Sequence, residues 1–250
     1  MAAERAPPIL KRLCTLPAII LPLTLTLVLA SPAAASPHWN GDTSGGTGVF
    51  GTLDCDAPAQ VGVVFDDEHG HGDVWKFDKP SGSPRCEARN IRVGGSAYQF
   101  QNNSTYYLGW SSAVSTTTGA FVTFQWKSYP NGTQNYPVLM EVKNGEVRLF
   151  HVAPGGTWNL IWSAPVTAWL YNDFALGIHT SDTATGGWTE LYFNGTRQTF
   201  SNGSTRYTGR TWDGDNEPKW GAYDSDDPAN AEINYVDGLK TGTSYADVAP

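Results

Sequence analysis

The segment Lys219-Trp220-Gly221-Ala222-Tyr223, near the end of the chain, decides the fold prediction. Side chains of an extended strand alternate between its two faces, so Trp220 and Ala222 share one face and suit a buried core. Lys219 and Tyr223 share the other face with Gly221 between them, which suits a groove floor where another group lies close to the backbone. An ordinary half-buried strand with a polar outer face explains the same pattern, so the other strands must decide.

Short candidate strands separated by turn residues fill the rest of the chain. The Asn144-Gly145 and Asn194-Gly195 pairs predict tight hairpins. Helical apolar periodicity is weak throughout, whereas Gly, Ser, Thr and aromatic residues are frequent, which is typical of an all-β sandwich. We find neither an internal repeat nor a linker. The candidate strands are 61–65, 74–77, 85–93, 106–112, 120–129, 134–142, 146–152, 161–163, 173–180, 188–193, 220–223 and 233–239.

Residues 1–35 have the pattern of a secretory signal peptide. Two basic residues precede an apolar run over 13–30, and three alanines then lead to position 36. Prolines interrupt the apolar run and nothing similar follows, so we expect no transmembrane anchor. We therefore predict a secreted, extracellular protein whose mature part, residues 36–250, is a single domain.

Cysteine content agrees with export from the cell. Removal of the signal peptide would remove Cys14 and leave Cys55 and Cys86. In an oxidising compartment, two thiols without a third candidate most simply form a disulfide, and two free buried thiols are the alternative.

The charge balance limits the partners of the protein. The net charge is −8, with 24 acidic and 16 basic residues. Nucleic acid is disfavoured because binding phosphates requires clustered cations in excess. An acidic polysaccharide remains compatible, since local clustering of cations sets the potential in a groove. We expect no nucleic-acid partner, no membrane partner, and a monomer.

Three further segments place two or more polar side chains on one strand face. Arg85, Glu87 and Arg89 share a face, and we expect Glu87 to lie between the two guanidinium groups, although an ordinary surface ion-pair ladder is the alternative. Residues 134–138 place Gln134 and Tyr136 on one face. The strand at 120–129 places Gln125 and Lys127 on one face, opposite Val122, Phe124 and Trp126.

These segments resemble the motifs of a known group of enzymes. Arg85-x-Glu87-x-Arg89, Gln134-x-Tyr136 and Lys219-x-Gly221-x-Tyr223 resemble, in order, three motifs of the family 7 alginate lyases. With Phe124-Gln125-Trp126-Lys127-Ser128 added, the resemblance is closer to the glucuronan lyases of family 20. It covers nearly the whole mature chain and implies a concanavalin-like jelly roll of two antiparallel sheets with a concave substrate groove.

The resemblance also implies a reaction, the β-elimination of a 1,4-linked polyuronate. Loss of the C5 proton beside a carboxylate builds a second negative charge, which preorganised cations and amides must stabilise. The phenol of Tyr223, with a pKa of about 10 when free, would act as base and then acid. Arg85 and Gln134 would stabilise the dianion, and this chemistry requires no cofactor. The resemblance assigns substrate binding to Arg89, Lys219, Tyr136, Gln125 and Lys127.

Tyr136 stands where the family 7 motif has histidine. In glucuronate and mannuronate the C5 proton and the C4 oxygen lie on one ring face, so one group can serve both steps. The absence of that histidine favours syn elimination, with glucuronan as the first candidate substrate. The alternatives are a mannuronate-specific alginate lyase and a non-catalytic polysaccharide-binding module. A glycoside hydrolase is disfavoured because no strand carries two free carboxylates on one groove face.

Histidines and acidic residues leave two further hypotheses open. His71, or its neighbour His69, would be an additional catalytic group if its loop enters the groove, and a solvated acidic loop is the alternative. His151 and His179 lie in core-like strands and are interpreted as structural. Asp42 and Asp237 are candidate ligands for a structural calcium ion at the paired chain ends. Acidic surface turns are the usual explanation, and a competing cluster comprises Asp213, Asp215, Asp224, Asp226 and Asp227.

Overall fold

Two antiparallel β-sheets pack face to face in the computed structural model, which describes Met1 and residues 38–129 and 132–250. This arrangement is the jelly-roll sandwich that the sequence predicts. The span Ala35–Pro250 forms a compact unit. Within the described residues, no helix has the length and apolar character needed to cross a membrane. The predicted signal peptide, residues 1–35, lies outside the described residues apart from Met1.

The sheets are formed by 17 strands, numbered here in chain order. The first sheet has the order β14-β13-β12-β7-β17-β4-β3, with β1 beside β17 and β15 beside β13. The second has the order β11-β10-β9-β8-β16-β5-β2, with β6 beside β5. Two short 3₁₀ helices span Thr43–Val49 and Tyr245–Asp247. The strands are β1 Trp39–Asn40, β2 Phe50–Cys55, β3 Gln60–Asp66, β4 Gly72–Lys79, β5 Arg85–Val93, β6 Ser96–Ala97, β7 Thr105–Val114, β8 Ala120–Ser128, β9 Val138–Lys143, β10 Glu146–Val152, β11 Trp158–Pro165, β12 Asn172–His179, β13 Trp188–Phe193, β14 Thr196–Arg197, β15 Tyr207–Thr208, β16 Asn216–Tyr223 and β17 Glu232–Gly242.

Aromatic side chains fill the space between the sheets. Trp220 is fully buried and packs against Phe124, at 5.8 Å between ring centroids, and Trp110, at 6.2 Å. Ala222 is buried beside it, so the face alternation predicted for this strand is confirmed. The apolar face of β16 thus anchors the middle of the second sheet and turns Lys219 and Tyr223 toward its outer surface.

Cys55 and Cys86 form the predicted disulfide. The two residues are directly opposed in the pairing of β2 with β5. The bond therefore fixes the edge strand β2, which the sequence analysis does not predict, against a strand that carries site residues.

Several predicted strands start at a different residue, since those predicted from 161 and 220 begin earlier, at Trp158 and Asn216, and a third begins later. The predicted strand over 134–142 begins at Val138, and the preceding residues form a loop. Pro137 precedes the strand and cannot donate a backbone hydrogen bond to a sheet, which explains this boundary. The alternation rule therefore does not apply to Gln134 and Tyr136.

Candidate functional site

The candidate site lies on the outer face of the second sheet, where β16 runs between β8 and β5. Lys219 is opposite Arg89 on β5 and opposite Gln125 on β8. Tyr223 is opposite Arg85. The register therefore gathers side chains that are as much as 138 positions apart in the sequence onto one patch of surface.

Gly221 makes room for the floor of this patch. Its φ angle is 155°, and a Cβ placed there would lie 2.2 Å from the carbonyl oxygen of Cys86 and 2.6 Å from Cα of Glu87. The sequence predicts close approach at this glycine, and the group that approaches is the neighbouring strand β5. The missing side chain leaves space for Glu87 on the same face.

A buried ionic network forms beneath the surface around Glu87. Its carboxylate lies 2.8 Å from Nζ of Lys219 and accepts a hydrogen bond of 2.6 Å from the Gln125 amide. Lys219 also pairs with Asp54 at 3.0 Å. Burial disfavours the charge on Lys219, but the adjacent carboxylates outweigh this effect and raise its pKa. Glu87 therefore holds Lys219 and Gln125, and the expectation that it lies between two arginines is wrong.

Arg89 is fixed by other carboxylates. Its guanidinium group lies 2.9 Å from Asp54 and 2.9 Å from Glu217, and it stacks over the ring of Tyr129 at 4.2 Å. Two of the five N–H donors of Arg89 are engaged and its charge is shared between two carboxylates, so Arg89 organises the site.

Arg85 and Tyr223 form the exposed centre of the site. The guanidinium carbon of Arg85 lies 4.8 Å from the centroid of the Tyr223 ring. Arg85 pairs with Asp56 at the longer distance of 3.7 Å, and the two side chains are 36% and 60% exposed. Screened pairs of this kind are weak, so the guanidinium can exchange Asp56 for a ligand carboxylate. The Tyr223 hydroxyl donates a 2.9 Å hydrogen bond to Ser225.

Lys127 lies on the same face, and its amine is 4.8 Å from the Tyr129 ring centroid. The amine also donates to the Ser128 carbonyl and to the side-chain oxygen of Asn135. Burial, followed by the positive charges of Lys219, Arg89 and Arg85, lowers the pKa of Lys127 to about 8. Its positive charge is therefore present at neutral pH and is lost under mildly alkaline conditions.

Two adjacent cavities extend over this face. The first, here called the cationic half, has a volume of about 510 Å³ and is lined by Tyr129 and by the charged residues Asp54, Asp56, Arg85, Arg89, Lys127 and Lys219. The second, here called the aromatic half, measures about 420 Å³ and is lined by Gln125, Tyr136, Glu141, Lys143, Trp158, Tyr223, Asp224 and Asp226, among others. Arg85 and Tyr223 meet where the two halves join.

Gln134 lies outside this group of side chains. It is 2% exposed, and its amide donates to the carbonyl oxygens of Val152, at 2.6 Å, and Arg210, at 2.9 Å. Its own oxygen accepts from the Arg210 guanidinium at 3.1 Å. The structure thus uses Gln134 to hold its loop and does not bring it to Arg85 and Tyr223. Gln125 is the amide on the groove face, whereas Tyr136 reaches the aromatic half from the loop.

The histidine-rich loop connects β3 to β4 of the first sheet, whereas the candidate site lies on the second sheet. His71 lies 3.2 Å from Asp237 and stacks on Tyr171, at 3.6 Å between ring centroids. His69 lies 2.8 Å from Asp66. The structure therefore does not bring His71 to Tyr223, and it favours the solvated-loop alternative.

The two remaining histidines in strands have structural contacts. His151 is buried, and its Nε2 lies 3.0 Å from the Arg210 carbonyl. His179 lies 2.9 Å from the hydroxyl of Thr105.

Candidate metal ligands are not gathered around a common point. Asp42 accepts a hydrogen bond from the backbone amide of Ser44, whereas Asp237 contacts His71. Over residues 38–129 and 132–250, no group of three or more His, Cys, Asp or Glu side chains is placed to hold a metal ion. The structural calcium ion stays a prediction.

Sequence reasoning missed four residues that shape the site: Asp54, Tyr129, Glu217 and Trp158. Asp54 and Glu217 complete the ion pairs of Lys219 and Arg89, and Trp158 lines the aromatic half. Two signals were available: Asp54 alternates with Cys55 on one strand, and Glu217 is two positions from Lys219 on another, which places both on one face.

Comparison with solved structures places the sandwich beside the alginate lyases. A doubly substituted family 7 alginate lyase in complex with substrate has a TM-score of 0.52 and 12% identity, over 73% of this chain and 81% of that chain. A doubly cysteine-substituted alginate lyase has a TM-score of 0.51 and 13% identity, over 73% and 83% of the two chains. A family 7 alginate lyase determined at 1.0 Å has a TM-score of 0.50 and 13% identity, with the same coverage. At this identity the likeness concerns the fold. No protein-family model and no curated protein matches the chain.

Proposed function

We propose that this chain is a polysaccharide lyase that cleaves a 1,4-linked polyuronate by syn β-elimination, with glucuronan as the first candidate substrate. The observation that carries the proposal is the juxtaposition of Tyr223 with the exposed guanidinium of Arg85, next to the buried network of Gln125, Glu87 and Lys219. Fold similarity to family 7 alginate lyases supports the same class of reaction.

Arg85 is the group best placed to bind the carboxylate of the sugar that reacts. Its existing pair with Asp56 is long and exposed, so a uronate carboxylate can displace Asp56 at low cost. The Gln125 amide is oriented by Glu87 and lines the same cavity as Tyr223, so we assign its second N–H to the same carboxylate. Together they stabilise the second negative charge that develops when the C5 proton leaves.

Tyr223 serves as base and then as acid. In its phenolate form it takes the C5 proton, and the electron pair of the C5–H bond forms the C4=C5 double bond as the C4–O bond breaks. The oxygen that departs from C4 then receives the proton from Tyr223, so the phenolate is regenerated and the charges balance. Since one residue performs both steps, the C5 proton and the C4 oxygen must lie on the same ring face, as in glucuronate and mannuronate.

Incubation with glucuronan, polymannuronate and a neutral β-glucan tests the proposal. We expect ultraviolet absorbance from the new C4=C5 double bond with glucuronan. If absorbance increases with polymannuronate alone, the protein is a lyase whose substrate is polymannuronate and not glucuronan. New reducing ends without this absorbance would show a hydrolase, and retention of polymer without products would show a binding module.

Tyr223→Phe should lower the rate of double-bond formation by about 10²–10⁴-fold, the usual contribution of general acid–base catalysis. The matched control is Tyr235→Phe on the first sheet, beside Trp169, which should retain the rate of the unmodified protein. Near-normal turnover by the folded Tyr223→Phe protein would remove this residue from its role.

A further inference from the structure

The two halves of the groove differ in charge. Four cations and two carboxylates line the cationic half. The aromatic half has the opposite balance, with Lys143 as its cation against the carboxylates of Glu141, Asp224 and Asp226. A homopolymer of uronates that occupied both halves would place a carboxylate against an acidic wall, where like charges repel.

The acidic character of the aromatic half is not fully cancelled by internal pairing. Asp226 is exposed, and the Oδ1 atom of the buried Asp224 accepts from the backbone amides of Asp226 and Asp227. Glu141 is half-buried, and burial raises its pKa against the opposing charges of Lys143 and Arg148. Asp226 and Glu141 are therefore more accessible from the cavity than the buried Asp224.

Aromatic surface is the other feature of this half. Trp158 is 42% exposed, and its ring is held edge-on by Tyr136, at 5.6 Å between centroids, and by Phe150, at 5.2 Å. The ring is therefore fixed by packing while part of its surface stays open to solvent. Flat apolar faces with a few hydrogen-bonding groups around them match the C–H faces and hydroxyl groups of an uncharged sugar.

We propose that the aromatic half is a subsite for an uncharged sugar unit, with Trp158 as its stacking surface and Glu141 and Asp226 as the groups that reject a uronate. The preferred polymer then carries a neutral sugar on one side of the uronate that reacts. This inference rests on the proposed lyase reaction, and it changes the preferred substrate from a homopolyuronate to a polymer in which neutral sugars accompany the uronate.

The test compares two polymers by the initial rate of double-bond formation. One is a homopolymer of 1,4-linked glucuronate, and the other alternates glucuronate with a neutral hexose. We expect kcat/KM to favour the alternating polymer on the order of tenfold. The double variant Glu141→Gln/Asp226→Asn should narrow this preference by raising kcat/KM for the homopolymer. The control Asp227→Asn, an exposed acid on the same loop that does not line the cavity, should leave the preference unchanged.

Binding of a neutral hexose oligosaccharide to Tyr223→Phe protein, measured by calorimetry, tests the subsite without turnover. Trp158→Ala should abolish this binding, whereas Trp169→Ala, an exposed tryptophan that lines a cavity elsewhere, should retain it. Equal kcat/KM for both polymers, or absence of neutral-sugar binding, would overturn the subsite and leave the lyase proposal standing. Neutral-sugar binding that depends on Trp158, without double-bond formation from any uronate polymer, would support the subsite and overturn the lyase proposal.

Discussion

The cationic and aromatic halves of the groove use charge in different ways. In the cationic half, Lys219 and Arg89 are held by carboxylates, whereas Arg85 and Lys127 keep most of their charge available. In the aromatic half, carboxylates outnumber cations and a partly exposed tryptophan ring lines the cavity. A count of cations therefore overstates what a ligand can contact, because a buried and paired cation stabilises the site and leaves ligand binding to its neighbours.

The largest effect on stability is expected from breaking the buried network of the cationic half. Lys219→Met would leave Glu87 buried without its cation, which should lower the free energy of unfolding by about 3–5 kcal/mol. Lys143→Met in the aromatic half is the matched change. Within the described part of the chain, Lys143 acts on Glu141 only beyond ion-pair distance, so this variant should stay within about 0.5 kcal/mol. Urea denaturation at neutral pH measures both, and equal losses would show that the two halves do not differ in this way.

The next largest effect concerns Arg85 and Arg89, two arginines of β5 that we expect to serve activity and stability, respectively. Arg85→Ala should lower kcat/KM for a polyuronate by about 10–100-fold, the loss expected for one charged hydrogen bond of about 1.5–3 kcal/mol. The urea midpoint of unfolding of Arg85→Ala should hardly change, because the ion pair between Arg85 and Asp56 is exposed. Arg89→Ala should instead lower the midpoint, since Asp54 and Glu217 lose a shared partner. The reverse outcome, with activity lost mainly through folding in Arg85→Ala, would exchange the roles assigned to the two residues.

The smallest effect is a pH dependence of substrate binding. Because the pKa of Lys127 is about 8, its positive charge is lost as the pH rises through that value. KM for a polyuronate should therefore rise a few-fold, roughly the value of one screened charge contact, across this range. Lys127→Arg retains its charge over the same range and should have a KM that changes little. A KM that rises equally in both proteins would assign the pH dependence to another group.

The fold could be predicted from the sequence because alternation is a local property. Trp220 and Ala222 lie in the core between the sheets, whereas Lys219 and Tyr223 lie on the opposite strand face and line the groove, as the period of two requires. The site was predicted in part for the same reason. Arg85, Arg89, Gln125 and Lys127 lie on strands whose predicted bounds were close to those observed. Lys219 and Tyr223 lie on β16, which begins at Asn216 and so earlier than predicted. All six residues line the groove.

Gln134 shows where local reasoning fails. The alternation argument assumed a strand, but the strand starts at Val138, and the Gln134 amide is used to hold the loop that precedes it. His71 shows the second kind of failure. Nothing in its own loop reveals that Tyr171 and Asp237, about a hundred or more positions away in sequence, hold it on the other sheet.

The sequence by itself determined the class of the fold, the disulfide and the faces of the central strands, because each depends on neighbours along the chain or on a pair without competitors. Only the tertiary structure decided which carboxylate holds which cation and which cations stay available. Those pairings depend on the register between β2, β5, β8 and β16, which come together by burying one shared core, and no local pattern encodes that register.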